Sequence, residues 1–151
     1  MRLYLESTMF NYYFDTERDG HADTVRLFEA IGAGKYEGYT SDYATVELQH
    51  APEPKQSNML SLIERYKIVV LDFDPKAVQL AQLYMQSDII PAKYRFDALH
   101  IAIASTNRLD CVLSFNYEHI NKLKTKRLVE RINLSEGYKE IAICTPMEVL
   151  D

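Results

Sequence analysis

Lys93-Tyr94-Arg95-Phe96-Asp97-Ala98-Leu99-His100-Ile101-Ala102-Ile103-Ala104-Ser105 is the stretch on which the reading of this chain turns. From Ala98 to Ala104 it is apolar on every face of a helix, and His100 is the one interruption. A helix of that kind is wrapped by other elements instead of lying on a surface. Asp97 stands at its head, where unpaired first-turn N–H groups and the helix dipole favour a charged carboxylate. Taken alone, Asp97 reads as an N-cap or a first-turn charge. A functional reading needs other carboxylates at the same place, and the flanking segments offer them.

The chain has 151 residues, 47% of them hydrophobic and 26% charged, which suits one globular α/β domain spanning 1–151. No stretch has the apolar length of a membrane span. Met1 to Glu6 lacks the basic head and long apolar run of a signal peptide. Cys111 and Cys144 lie in apolar segments and form no C-x-x-C pair, so they read as buried, reduced residues of a cytoplasmic protein. The net charge of −5 argues against a general polyanion binder. It is compatible with a nucleic-acid enzyme whose acidic site takes divalent cations, because the ions reverse the local field.

Outward from the Asp97 helix, strand and helix signals alternate. Arg2 to Glu6 reads as a strand ending on an acid, with Ser7 and Thr8 at the helix start that follows. Met9 to Phe14 reads as a short aromatic helix, Asp15 to Gly20 as a turn, and His21 to Ala33 as a helix closed by Gly32 and Gly34. Tyr36 to Thr40 is a strand, and Ser41 or Asp42 caps a helix from Tyr43 to about His50 that carries Glu47. A helix from Pro54 to Tyr66 precedes a buried or amphipathic strand at Lys67 to Leu71. Asp74-Pro75 opens a helix reaching Ile89. Asp110 to Phe115 is a strand and Asn116 to Lys122 a loop. Lys124 to Ile132 is a basic amphipathic helix, and a strand at Ile141 to Cys144 leads to one helical turn after Pro146. This alternation predicts a layered α/β/α fold around a mostly parallel sheet.

In such a sheet the ligand crevice lies beyond the carboxyl ends of the strands. Glu6 and Asn116 follow strand ends, while Glu47 and Asp97 sit on helices that face the same crevice. Three carboxylates and an amide oxygen make a hard, all-oxygen site suited to Mg²⁺ or Mn²⁺ and not to zinc. Each residue also has a plain structural reading: a strand-end charge, a solvated helix acid, a turn asparagine.

The order and spacing of four blocks carry a resemblance. They are Tyr4-Leu5-Glu6-Ser7-Thr8, Ser41 with Glu47-Leu48, Phe96-Asp97-Ala98-Leu99-His100-Ile101-Ala102, and Leu113-Ser114-Phe115-Asn116-Tyr117-Glu118-His119-Ile120. Over nearly its whole length the chain resembles the PIN-domain family, and most closely its VapC-like toxins of toxin–antitoxin pairs. The resemblance implies a metal-dependent ribonuclease with Glu6, Glu47 and Asp97 as metal-site acids, Asn116 at a fourth position, and Thr8 beside them. It also implies an RNA substrate, a cognate antitoxin and a homodimer.

Two departures stand out: Glu6 replaces a more usual Asp, and Asn116 replaces an acid. The amide removes one negative charge and should weaken any second ion, and Glu118 is a candidate to replace that charge. Lys93, Arg95, Lys122, Lys124, Lys126, Arg127 and Arg131 are candidates for RNA backbone contacts, the later ones reading first as a solvated helix face. Two alternatives differ in class. Asn116 is consistent with a catalytically silent module that binds RNA or protein. Glu47…His50 and Asp97…His100 have the spacing of di-iron carboxylate bundles, which need four long helices. His100 itself reads as a core histidine hydrogen-bonded to a neighbour.

Overall fold

The computed structural model describes residues 1–150. In chain order its strands are β1 (Arg2–Leu5), β2 (Glu37–Ser41), β3 (Val69–Leu71), β4 (Cys111–Leu113) and β5 (Ala142–Cys144). Its helices are α1 (Ser7–Phe14), α2 (His21–Gly32), α3 (Asp42–Leu48), α4 (Lys55–Arg65), α5 (Pro75–Met85), α6 (Arg95–Thr106), α7 (Leu123–Ser135) and α8 (Pro146–Val149). The strands form one sheet of order β3-β2-β1-β4-β5, and every pairing among the described residues is parallel. A sheet between helices leaves no place for a four-helix di-iron bundle. No helix among the described residues is long and apolar enough to cross a membrane.

Period-two alternation sorts side chains between the two layers. Leu3, Leu5, Cys111 and Leu113 face one core, shared with Phe10, Leu27, Phe28 and Leu62 of α1, α2 and α4. Tyr4, Val112 and Ile143 face the other, shared with α5, α6 and α7. In α6, every residue from Ala98 to Ser105 is buried, as the apolar run required. Gly38 of β2 lies beneath α2, where a Cβ would come within 2.9 Å of Ile31. At that approach even an alanine would force a shift.

Several boundaries differ from expectation. The Lys67–Leu71 strand is only three residues long and forms a sheet edge with Val69 49% exposed. It pairs with β2 alone, so one side of it has nothing to be buried against. α5 ends at Met85, not Ile89, because Ser87 Oγ donates to Tyr84 O and Asp88 turns the chain with φ 64°. Cys144 is half-buried and Cys111 buried; both are free thiols.

The strand order places the site. From β1 the chain builds outward through β2 to β3, then returns through α5 and α6 to insert β4 on the other side of β1. The reversal falls between β1 and β4, where loops diverge and open a crevice at the carboxyl ends. Glu6 follows β1, and Ser114 to Asn116 follow β4.

Candidate functional site

Glu6 is wholly inside the protein and is itself the N-cap of α1, a place expected for Ser7 or Thr8. Its Oε2 accepts from the Thr8 amide at 2.8 Å, the Thr8 hydroxyl at 2.7 Å and the Ser114 hydroxyl at 3.3 Å. Thr8 Oγ1 in turn accepts from the Phe115 amide at 2.9 Å. One threonine thus ties the end of β1 to the segment after β4. Oε1 of Glu6 has no hydrogen-bond partner among the described residues. The carboxylate is held by one oxygen and presents the other.

Glu47, on α3, shows the same asymmetry. Its Oε1 accepts from Ser7 Oγ at 3.1 Å and from His100 Nε2, while Oε2 has no partner among the described residues. His100 is fully buried on α6. Its Nδ1 lies 2.6 Å from the Tyr4 hydroxyl, which lies 2.7 Å from Ser41 Oγ. Ser41 caps α3 through the Ala44 amide. A continuous chain, Ser41–Tyr4–His100–Glu47–Ser7, therefore crosses from β2 through β1 and α6 to α3 and α1.

Asp97 lies in the first turn of α6 and is not its cap; the N-cap is Tyr94, which makes no side-chain cap bond. The Asn116 side chain lies near Asp97 and favours its charged form. Asn116 Oδ1 accepts from the amides of Glu118 at 3.2 Å and His119 at 3.1 Å, an Asx-type turn. With that oxygen engaged, the amide nitrogen is the group left for Asp97. Glu118 is 80% exposed, and its carboxylate lies 3.5 Å from His119 Nε2.

The charges of these groups are coupled. Burial pushes the Glu6 carboxyl above its ordinary range, against the pull of His100 and Thr8. Burial does the same to Asp97, opposed by His100, His119 and Asn116. In Glu47, burial works upward too, but the His100 hydrogen bond and charge outweigh it, and the net shift is down. Burial works to lower His100, yet Glu47, Glu6 and Asp97 together raise it. All three carboxylates thus act on the one buried imidazole, and each favours its protonated form.

The carboxylates and the hydroxyls around them are hard oxygen donors, the kind a divalent cation takes. Among the described residues no group of three or more His, Cys, Asp or Glu side chains is arranged to hold a metal ion. Mg²⁺ retains several waters and is commonly bound through only one or two direct carboxylates. The presented oxygens of Glu6 and Glu47 fit that mode. The roles sequence reasoning missed are those of the Tyr4, Ser7 and Ser114 hydroxyls, whereas Ser41 caps α3 as expected and in addition meets Tyr4. Tyr4 stands two positions before Glu6, a spacing that puts it on the same strand face. The spacing from Asp97 to His100 pointed to one helix face, but the partner of His100 is Glu47.

Lys93 and Arg95 are exposed beside Asp97, with the Lys93 ammonium 5.1 Å from the Tyr94 ring and the Arg95 guanidinium 5.8 Å from that of Phe96. Lys124, Arg127 and Arg131 are exposed on α7. That helix belongs to the layer opposite α1 and α4.

No protein-family model matches the chain, and no curated protein does. Its fold is similar to two solved structures. One is VapBC2 from Rickettsia felis, bound to a DNA fragment from its promoter, with 17% identity, a TM-score of 0.59, and 95% of this chain and 97% of that chain covered. The other is Mycobacterium tuberculosis VapC20, a sarcin–ricin loop cleaving toxin, with 11% identity, a TM-score of 0.57, and 92% and 98% covered. The architecture is the PIN-like fold of VapC toxins.

Proposed function

We propose that this chain is a divalent-metal-dependent ribonuclease and the toxin of a toxin–antitoxin pair. The observation that carries the reading is the grouping of Glu6, Glu47 and Asp97 around His100 at the switch point of a parallel sheet. Likeness of fold to an RNA-cleaving toxin supports the substrate class.

In this reading Glu6 Oε1 and Glu47 Oε2 would hold Mg²⁺ or Mn²⁺ directly, Asp97 would act on the ion through its retained waters, and Asn116 would contribute by facing Asp97. An ion held there would polarise the scissile phosphate and lower the pKa of a water. Thr8 and Ser114 fix the Glu6 carboxylate, and Ser7 and His100 fix that of Glu47. Each side chain is thereby set before substrate arrives, so less ordering is left for the reaction step. By likeness to the VapBC2 complex, the expected protein partner is a small antitoxin. A second copy of the chain is the other expected partner. Phe73 and Val78, exposed beside a groove between α3, α5 and α6, offer apolar surface for protein contact.

The test is cleavage of labelled single-stranded RNA by purified protein across a Mn²⁺ titration, with Asp97→Asn alongside. Wild type should cut and Asp97→Asn should not. Wild type inert at millimolar Mn²⁺ over several RNAs rejects the nuclease and leaves a silent binding module of the same fold.

A further inference from the structure

A cleft of about 630 Å³ opens directly beside Thr8 and runs between α1 and the start of α4. Three features of its walls bear on what it holds. First, one wall is a rigid stack: Phe115 lies flat on Tyr12 at 3.8 Å and 3°, with the Arg18 guanidinium 5.3 Å from the Tyr12 ring. Second, this wall is tied to the site, because the Phe115 amide bonds Thr8 Oγ1 and Thr8 Oγ1 bonds Glu6. Third, the lining includes Arg18 and Lys55 against one acid, Asp15, in a chain whose net charge is −5.

Asp15 pairs with Arg18 at 3.0 Å and orients it without displacing it from solvent. Lys55 is exposed and has no ion pair or hydrogen bond from its side chain among the described residues. Phe14, 40% exposed, adds an aromatic ring to the lining. Cations that track a backbone, with an aromatic face for a base, are the elements of a sequence-tolerant single-strand groove. The candidates nearest Asp97 in sequence, Lys93 and Arg95, do not line this cleft.

We propose that this cleft binds the single-stranded RNA nucleotides flanking the bond cut at the carboxylates, with Arg18 and Lys55 on phosphates and Phe14 under a base. The proposal rests on the ribonuclease reading and gives that site its substrate path. It differs from the expectation that basic residues of α7 contact RNA, since α7 lies on the other face of the sheet.

The experiment measures anisotropy of a labelled single-stranded RNA with the full chain carrying Asp97→Asn, in Mn²⁺, over a series of KCl concentrations. Each cation–phosphate contact contributes about 0.7 to the slope of log affinity on log salt for single strands. Arg18→Gln with Lys55→Gln should therefore weaken binding and lower that slope by about 1.4. Phe14→Ala should weaken binding by about tenfold with the slope unchanged, because stacking carries no counterion release. Arg127→Gln with Arg131→Gln should change neither quantity. Circular dichroism melts of each variant confirm that these surface changes leave the fold intact.

The proposal is overturned if the Arg18/Lys55 variant keeps the parent affinity and slope, or if the α7 variant shows the loss instead. Wild-type cleavage measured in parallel separates the two readings. Active wild type with unaffected cleft variants removes the cleft alone. Inert wild type together with a parent that binds no RNA removes the ribonuclease and the cleft together.

Discussion

His100 Nε2, on α6, hydrogen-bonds Oε1 of Glu47 on α3, while Nδ1 of the same ring lies 2.6 Å from the hydroxyl of Tyr4 on β1. Three elements of the fold are thus joined at one imidazole, and the glutamate is left with a single oxygen to offer. The usual arrangement of a carboxylate steadying a metal-bound histidine is inverted here, with the histidine steadying the carboxylate. A side chain this enclosed depends on both of its partners.

Tyr4→Phe keeps the packing of a fully buried ring but strips His100 Nδ1 and Ser41 Oγ of a partner. The expected cost is about 1–3 kcal/mol in stability. Urea unfolding measures it; a midpoint equal to wild type would mean that the hydroxyl is dispensable. His100→Gln retains a donor toward Glu47 and should keep more Mn²⁺ affinity by calorimetry than His100→Phe. Equal affinities in the two variants would count against a positioning role.

Asp97→Asn removes a charge from the site while preserving shape. Cleavage should be lost and Mn²⁺ binding weakened, with a melting temperature in EDTA equal to or above wild type, because burial disfavours the charged carboxyl. Retained cleavage would move the active site elsewhere.

Asn116→Asp keeps an oxygen for the Glu118 and His119 amides but turns a second oxygen toward Asp97 in place of an N–H donor. Like charges at that distance repel without metal and cooperate with it. A repulsion of about 1 kcal/mol should lower the melting temperature in EDTA by about 2–4 °C for a chain of this size. Added Mn²⁺ should restore it, and half-maximal cleavage should need less Mn²⁺ than in wild type. A variant unchanged in EDTA and in Mn²⁺ would show that position 116 does not face the site.

The metal-free protein should have a stability optimum in mildly acid solution. Glu47 is lowered, so its stabilisation is present above its ordinary value of 4.5 and is lost as pH falls through the folded value. His100 is raised, so its contribution is full below 6.5 and is lost as pH rises through the folded value. Glu6 and Asp97 are raised by burial; their charged forms destabilise the fold increasingly on the alkaline side. Glu47 has its full effect above 4.5, while Glu6, Asp97 and His100 each lose stability as pH rises, so the optimum lies on the acid side of 6.5 and stability falls from there toward alkaline pH. Denaturant midpoints in EDTA across pH measure this, and a midpoint still rising into alkaline solution would contradict it. Mn²⁺ should move the optimum upward, because its ligands bind deprotonated.

Much of the fold was legible from residue patterns. The all-round apolar run from Ala98 to Ala104 dictates a wrapped helix, and the short apolar run Leu3 to Leu5 fits a strand buried on both faces. Such periodicities are local, so one-dimensional reading reaches them. The chain order of Glu6, Glu47, Asp97 and Asn116 relative to strand ends was equally local. What only the tertiary structure decided were contacts between residues far apart in the chain. Ser114 reaches Glu6 across 108 positions, and His100 reaches Glu47 across 53. Those contacts determine which carboxylate oxygen is tied and which is presented. They also set Asn116 against Asp97 and make His100 the partner of Glu47. The exposed edge at Val69 and the early end of α5 have the same origin, since burial depends on which neighbours the packed sheet and helices supply.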